Sequence, residues 1–336
     1  MRKTVAVVGC GGMGFKHALN CRDIDGVQLI SVCDVDSEKG TELSKRTGAT
    51  FYQDFDKMIA MEKIDALIIA TPPIYRKEFI QKAVGENINI FVEKPLSISK
   101  ELGKEFCDLV ESKPIIHSVG FHLRYAPITD EVRNILDGHE VTQIRTVTAT
   151  SYYVDMDMPR WFLQKRFSGG PLFEQSLHLL DLSRYLFGEI ININGVGKHL
   201  LRSNPLFDFD IGEDLDSEDT IILNSEFANG ILGVHSESCA NLKFRWELEI
   251  LGPTISILVD YANNTITGSI LDGNKIENVN INQLDADWHK IELDCFFKDI
   301  NPRVNLPEFK IRSDFFDAQR TVSLMTQALK SLRDKL

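Results

Sequence analysis

Short β-branched runs alternate with longer amphipathic stretches through the first third of the chain. Residues 3–8 (KTVAVV), 27–33 (VQLISVC), 65–70 (DALIIA), 88–92 (INIFV) and 115–119 are apolar enough for strands covered on both faces, and 49–52 is a shorter run of the same kind. Between them, 13–22, 37–47, 54–61, 74–86 and 98–112 read as helices. Strands alternating with helices of this length predict βαβ units and a parallel sheet. The rhythm ends near Gly120.

Beyond it the pattern changes. Residues 144–153, 190–199, 218–227, 230–238, 243–251, 254–260, 265–271 and 275–282 read as strands, several alternating polar and apolar positions. Turn signals such as Ala228-Asn229-Gly230 and Asp272-Gly273-Asn274 separate them and favour antiparallel pairing. A helix is expected at 171–187, and others at about 286–300 and 313–334. Residues 203–217 are acidic and turn-rich, as in an exposed loop. There is no internal repeat and no low-complexity segment.

Composition narrows the class. A chain of 336 residues fits two domains, or three, and 43% hydrophobic residues supply a core without staples. Lys plus Arg is 37 against 49 for Asp plus Glu, giving a formal charge of −12. That field repels duplex nucleic acid and anionic membranes, so neither is an expected partner. The cysteines at 10, 21, 33, 107, 239 and 295 form no CxxC pair, no zinc spacing and no disulfide framework, which fits a reducing compartment. The apolar run after Arg2 and Lys3 breaks at Gly9, too early for a secretory core, and no stretch reaches the length of a membrane span. A soluble cytoplasmic protein is expected, with no metal site.

Gly9-Cys10-Gly11-Gly12-Met13-Gly14 fits GxGxxG directly after a strand and at a helix start. In that context Gly9 permits the turn, Gly11 lets backbone approach a pyrophosphate, and Gly14 lets helix pack on strand. Amides near Gly12 and Met13 then point at phosphate from the helix N-terminus. The second strand ends at Asp34, where a carboxylate can accept from an adenosine ribose. A carboxylate there repels a 2′-phosphate, and no Arg or Lys follows until Lys39, so NAD is favoured over NADP. The bland alternatives are a glycine turn that only packs, and an Asp34 that serves as a turn or cap residue before Ser37.

Ala70-Thr71-Pro72-Pro73 ends the fourth strand and Glu93-Lys94-Pro95 the fifth. Both are carboxyl ends of a parallel sheet, where such sheets bind ligands. By itself Lys94 reads better as an ordinary exposed lysine than as an active-site group. Taken in order, GCGGMG, ATPP, FVEKPLS, GFHLRYAP (120–127), GGPLFEQSLHLLDLSRYLFG (169–188) and the tail at 313–332 resemble the Gfo/Idh/MocA oxidoreductase family over essentially the whole chain. The resemblance implies an α/β Rossmann dinucleotide-binding domain, placed at 1–120. It also implies an α+β second domain at 121–336, with a large, mainly antiparallel open sheet. It implies an NAD(P)-dependent oxidoreductase that moves hydride between nicotinamide and a secondary alcohol or ketone of a sugar, cyclitol or sugar derivative. Lys94 would be the active-site lysine and His178 the histidine of the second-domain motif. Thr71, Pro72 and Glu93 would line the nicotinamide half of the site, His122 would lie near it, and Trp161 would sit on a loop above.

The chain departs from the family pattern in places. Glu174 stands for the usual Asp, Ser176 for Gly, and Arg76 for a His after ATPP; Asn87 and Ile88 replace Gly and Lys. At i and i+4 of a regular helix, Glu174 would share a face with His178, hold the imidazole and set its tautomer. His178 would then take the hydroxyl proton while Lys94 offsets charge on the oxygen. A structural contact is the plainer reading of such a pair. Asp155 and Asp157 suit either polyol contact or a solvated loop, and the remaining histidines suit surface or core roles. Two rival functions stand beside the dehydrogenase: a non-catalytic NAD-binding regulator or sensor, and an enzyme using tightly bound NAD for transient redox. A second domain with few helices leaves one sheet face uncovered, which predicts a homodimer or homotetramer.

Overall fold

A computed structural model describes residues 2–150, 160–200, 216–282, 286–301 and 310–333. The chain forms two compact units, Met1–Tyr125 with Asp287–Val322, and Ala126–Ala286 with Ser323–Leu336.

The first unit is built on a six-stranded parallel sheet. Its strands are β1 (Lys3–Val8), β2 (Val27–Cys33), β3 (Thr50–Tyr52), β4 (Ala66–Ile69), β5 (Asn89–Glu93) and β6 (His117–Gly120), in the order β3-β2-β1-β4-β5-β6. The order reverses between β1 and β4, which opens a crevice at their carboxyl ends. Helices α1 (Gly12–Arg22), α2 (Ser37–Thr47), α3 (Phe55–Met61), α4 (Arg76–Gly85) and α5 (Lys100–Val110) provide the crossovers. Their starts follow local chemistry: Asp36, Asp54 and Ser99 cap α2, α3 and α5 by accepting backbone N–H groups. Asn87 sits at φ +54° just after α4, doing what glycine more commonly does at a helix end.

The compact units do not follow a single cut between residues 120 and 121. Helix α9 (Trp288–Asp299), late in the chain, buries Leu293, Phe296 and Phe297 in the same core as Val5, Val7 and Ala18. Residues after it run along β6, where the Val119 N–H donates to Ser313 O at 3.0 Å. The cause is burial: the apolar stripe of α9 and the open edge of β6 both need cover, and the first unit supplies the partner.

The second unit carries an eight-stranded sheet of β7 (Gln143–Ala149), β8 (Ile190–Lys198), β9 (Thr220–Phe227), β10 (Leu232–Ser238), β11 (Arg245–Gly252), β12 (Ile255–Asp260), β13 (Thr265–Asp272) and β14 (Lys275–Asn282). Their order is β14-β13-β12-β11-β7-β10-β9-β8, antiparallel throughout except for the parallel pair β7 and β10. One face buries Ile193, Ile221, Leu223, Leu248, Ile257 and Val259. The other leaves Val196, Ile222, Leu232 and Leu258 exposed. Helix α6 (Pro127–Leu136), absent from the sequence reading, starts with Pro127 at its first turn and buries Ile128 and Val132. The expected helix at 171–187 is a π-helical turn (Leu172–Ser176) running into helix α8 (Leu177–Phe187), preceded by the single turn α7 (Lys165–Ser168). The last helix, α10 (Phe315–Arg333), starts in the first unit and ends in the second. Asp155, Asp157 and most of the acidic 203–217 stretch lie outside the described residues.

Candidate functional site

The glycine loop has the shape that its spacing requires. Gly9 sits at φ +92°, and a Cβ there would lie 2.8 Å from the Ala70 backbone. A Cβ on Gly14 would lie 1.7 Å from the Gly9 carbonyl oxygen, so α1 can pass β1 this closely only with glycine. Gly11 and Gly12 are different, with nothing within 4 Å of where a Cβ would go. Gly11 caps α1 without any side-chain hydrogen bond, and the first turn holds no acidic residue. Around Gly11, Gly12 and Met13 there is thus open space before a helix N-terminus, as an anionic phosphate requires.

Asp34 stands beside that loop. The Cys10 N–H donates to its Oδ2 at 2.6 Å and the Asp36 N–H to its Oδ1 at 2.8 Å. The helix cap is Asp36, which accepts from Glu38 and Lys39, so Asp34 is not spent on capping. Each carboxylate oxygen of Asp34 keeps a lone pair for a ribose hydroxyl. The residues therefore fit a dinucleotide: an open amide-lined loop and an oriented carboxylate at the end of the next strand.

At the ends of β4 and β5, Thr71, Pro72 and Lys94 are half-buried and Glu93 is buried. The Lys94 N–H donates to Glu93 Oε2 at 3.1 Å. Arg76, which opens α4 and is only 2% exposed, reaches across both strand ends. Its Nε donates to Thr71 O at 2.9 Å, one Nη to the carbonyls of Glu93 and Pro95, and the other to Lys94 O at 3.3 Å.

Behind Lys94 lies a buried cluster that sequence reasoning missed. His17, on the inner face of α1, bonds through Nε2 to Glu93 Oε1 at 2.5 Å. Burial alone would raise the Glu93 carboxyl, but the His17 hydrogen bond and the charges of His17, His289 and Lys94 outweigh it and hold the group low, at about 2. Glu292 lies close enough for His17, Glu93 and Glu292 to offer ligand atoms within 4.8 Å of one another. His17 and Glu93 use theirs on each other. Burial, and then the negative Glu93, push Glu292 well above the usual carboxyl range. His122 is buried and stacks on His289, with ring centroids 4.2 Å apart. Burial lowers His289 to about 4. Position 17 follows Gly14 by three on the face of α1 that packs on the sheet, which marks His17 as buried without naming its partner.

In the second unit Glu174 and His178 are both buried, at 3% exposure. The π turn places Glu174 outside the regular helix that begins at Leu177, so the i,i+4 arithmetic expected for this pair does not run through it. The imidazole of His178 packs on Trp246 of β11, centroids 4.9 Å apart. Ser176 is tied to the sheet below by a hydrogen bond with Glu237 and another with His235 Nε2 at 2.7 Å. Burial raises Glu237 to about 8 and lowers His235 to about 3. Trp161 lies in a 3-10 turn, its ring against Phe162.

Comparison with known proteins agrees with this architecture. The profile described as "Oxidoreductase family, NAD-binding Rossmann fold" (GFO_IDH_MocA) matches residues 3–121, and "GFO/IDH/MocA C-terminal domain" matches residues 129–258. The scyllo-inositol 2-dehydrogenase (NAD(+)) of Bacillus subtilis is 29% identical over 258 residues, 76% of this chain and 72% of that protein. The myo-inositol 2-dehydrogenase of Thermotoga maritima is 24% identical over 263 residues, 78% of this chain and 76% of that protein. Among solved structures, a levoglucosan dehydrogenase in complex with NADH superposes with a TM-score of 0.87 at 21% identity, covering 99% of this chain and 98% of that one. At that identity the likeness concerns the fold.

Proposed function

The chain belongs to the Gfo/Idh/MocA oxidoreductase family, with an NAD-binding Rossmann domain, and from that premise we propose that it oxidises or reduces a secondary carbinol of a cyclitol or sugar derivative. The observation that carries the proposal is the open glycine loop with Asp34 held beside it by two amides, at one end of the sheet whose strand β5 leads into Lys94. The relatives named for scyllo-inositol and myo-inositol support this substrate class.

Bound NAD supplies the hydride acceptor. The chain's own groups position the substrate and move the proton. Lys94 places an ammonium on the reacting oxygen and offsets the negative charge that grows as the hydroxyl proton leaves. His178 accepts that proton, and its contact with Trp246 restricts the imidazole plane. Glu174 orients His178 and stabilises its charged form. Thr71, Pro72, His122 and Trp161 border the nicotinamide side. Asp34 favours NAD, since a 2′-phosphate would meet a carboxylate. No described helix is long and apolar enough to cross a membrane. The uncovered face of the large sheet mixes Val196, Ile222, Leu232 and Leu258 with Arg145 and Glu249, and a second copy of the chain would cover it as a homodimer or homotetramer.

The test is NAD reduction followed at 340 nm on a panel of inositols, anhydrosugars and aldoses, with His178→Ala alongside. A positioned base contributes about 10²–10⁴-fold, so this variant should lose that much kcat and keep its NADH affinity. NADH binding without turnover on any substrate would make the protein a sensor. Product without accumulating NADH would mean transient redox. A folded His178→Ala protein with wild-type kcat would remove His178 from the chemistry.

A further inference from the structure

Arg76 is a buried cation that donates to four main-chain carbonyls. They come from Thr71 after β4, and from Glu93, Lys94 and Pro95 at the end of β5. A guanidinium can do this because its five N–H donors lie in one rigid plane; an ammonium is a point with no such fork. The three consecutive carbonyls at 93–95 flank and include Lys94. With the Lys94 N–H held by Glu93, and Glu93 held by His17, the Lys94 backbone is fixed from both sides. The side chain of Lys94 stays half-buried, with its flexible stem rooted on that clamped segment.

We propose that Arg76 is the positioning residue of the Lys94 ammonium, locking the ends of β4 and β5 together so that the lysine and the Thr71 segment keep one geometry. It rests on the proposed chemistry of Lys94. A general stabilising role for Arg76 predicts lost stability with unchanged turnover in the folded fraction. Positioning predicts a much larger fall in turnover than in cofactor affinity, since the Thr71 and Glu93–Pro95 segments that Arg76 holds border only the nicotinamide end of the dinucleotide.

The experiment compares Arg76→Met and Arg76→Lys with the wild type, the second variant keeping the charge if the first folds poorly. Kinetics on the best substrate of the panel and NADH fluorescence titration give kcat and Kd. A misplacement of about 1 Å costs on the order of 10²-fold, so kcat should fall by that order while the NADH Kd stays within about threefold. Arg76→Lys should recover stability without recovering kcat, because one ammonium cannot reproduce the fork. Independently of activity, reductive ¹³C-methylation should give Lys94 an NMR resonance of its own, assigned by its loss in Lys94→Arg. That resonance should merge with the exposed lysines in Arg76→Met and in Arg76→Lys. Wild-type kcat in either folded variant, or a Lys94 resonance that does not move, overturns the proposal. If the wild type turns over no alcohol, the proposed function falls and the Lys94 resonance alone decides the role of Arg76.

Discussion

Replacing Glu237 by Gln should make the protein more stable, and more so as the pH rises. Glu237 is 1% exposed on β10, and its partner Ser176 also meets His235 Nε2. His235 Nδ1 in turn meets Thr146 Oγ1 at 2.8 Å, and that hydroxyl reaches Val234 O at 3.4 Å. The Ser176 hydroxyl donates to Glu237 Oε2, while Glu237 Oε1 is buried with no hydrogen-bond partner among the described residues. One hydroxyl is little compensation for a buried charge, in line with burial raising the carboxyl from 4.5 to about 8. A carboxyl raised in the folded state contributes stability that is complete below its unfolded value near 4.5 and is lost as pH climbs through about 8. The loss runs at about 1.4 kcal/mol per pH unit over that window, a ceiling of about 5 kcal/mol, which relaxation around the charge reduces. Gln keeps the shape, its amide oxygen can accept from Ser176 as the carboxyl does, and it has nothing to titrate. Urea unfolding of both proteins at pH 5, 6, 7 and 8 reads the difference directly, free of every other titrating group. The midpoints should be close at pH 5 and diverge steadily toward pH 8 in favour of Glu237→Gln. Parallel midpoints, or a wild type that gains on the variant at pH 8, would refute the neutral carboxyl.

Two glycines of the phosphate loop should separate folding from binding. Gly12→Ala, with open space around its Cβ, should fold normally and lose most NADH affinity by fluorescence titration, whereas Gly14→Ala, whose Cβ meets the Gly9 oxygen at 1.7 Å, should fail in thermal stability first. Asp34→Ser with Val35→Arg should shift preference toward NADPH by removing a repelling carboxylate and adding a phosphate partner; a wild type that already binds NADPH more tightly than NADH would contradict the part given to Asp34.

The parallel sheet was legible because its central strands are covered on both faces, so β1, β4 and β5 appear as largely apolar runs with helices between them. Asp34 was legible because the site needs an acid at one fixed place, the end of the second strand. What escaped had no local pattern. The return of α9 to the first unit depends on a partner surface far away in sequence. His17 pairs with Glu93 across 76 positions, and no spacing rule joins a helix face to a distant strand end. The π turn at Leu172–Ser176 keeps the composition of a helix, so periodicity ran straight through it. One signal was available and unused: in LGVHSES, alternation puts His235 and Glu237 on the same side as core positions of β10, where polar residues need named partners.

Two of the departures from the family pattern, Ser176 and Arg76, are bound into the fold. Ser176, standing for a glycine, is not a neutral hydroxyl, because it links the motif turn to His235 and Glu237 on the sheet beneath. Arg76, standing for a histidine, takes four carbonyls at the ends of two strands. A serine hydroxyl or guanidinium buried without partners would cost stability, and here each has partners. Glu237 and His235 are the surroundings of Ser176, and the backbone at 93–95 is the surroundings of Arg76. Both networks support the segments that carry His178 and Lys94, the two groups proposed for proton transfer and charge stabilisation. A chain released from catalysis has no need of buried networks beneath both of those side chains, and their presence favours the dehydrogenase over the sensor.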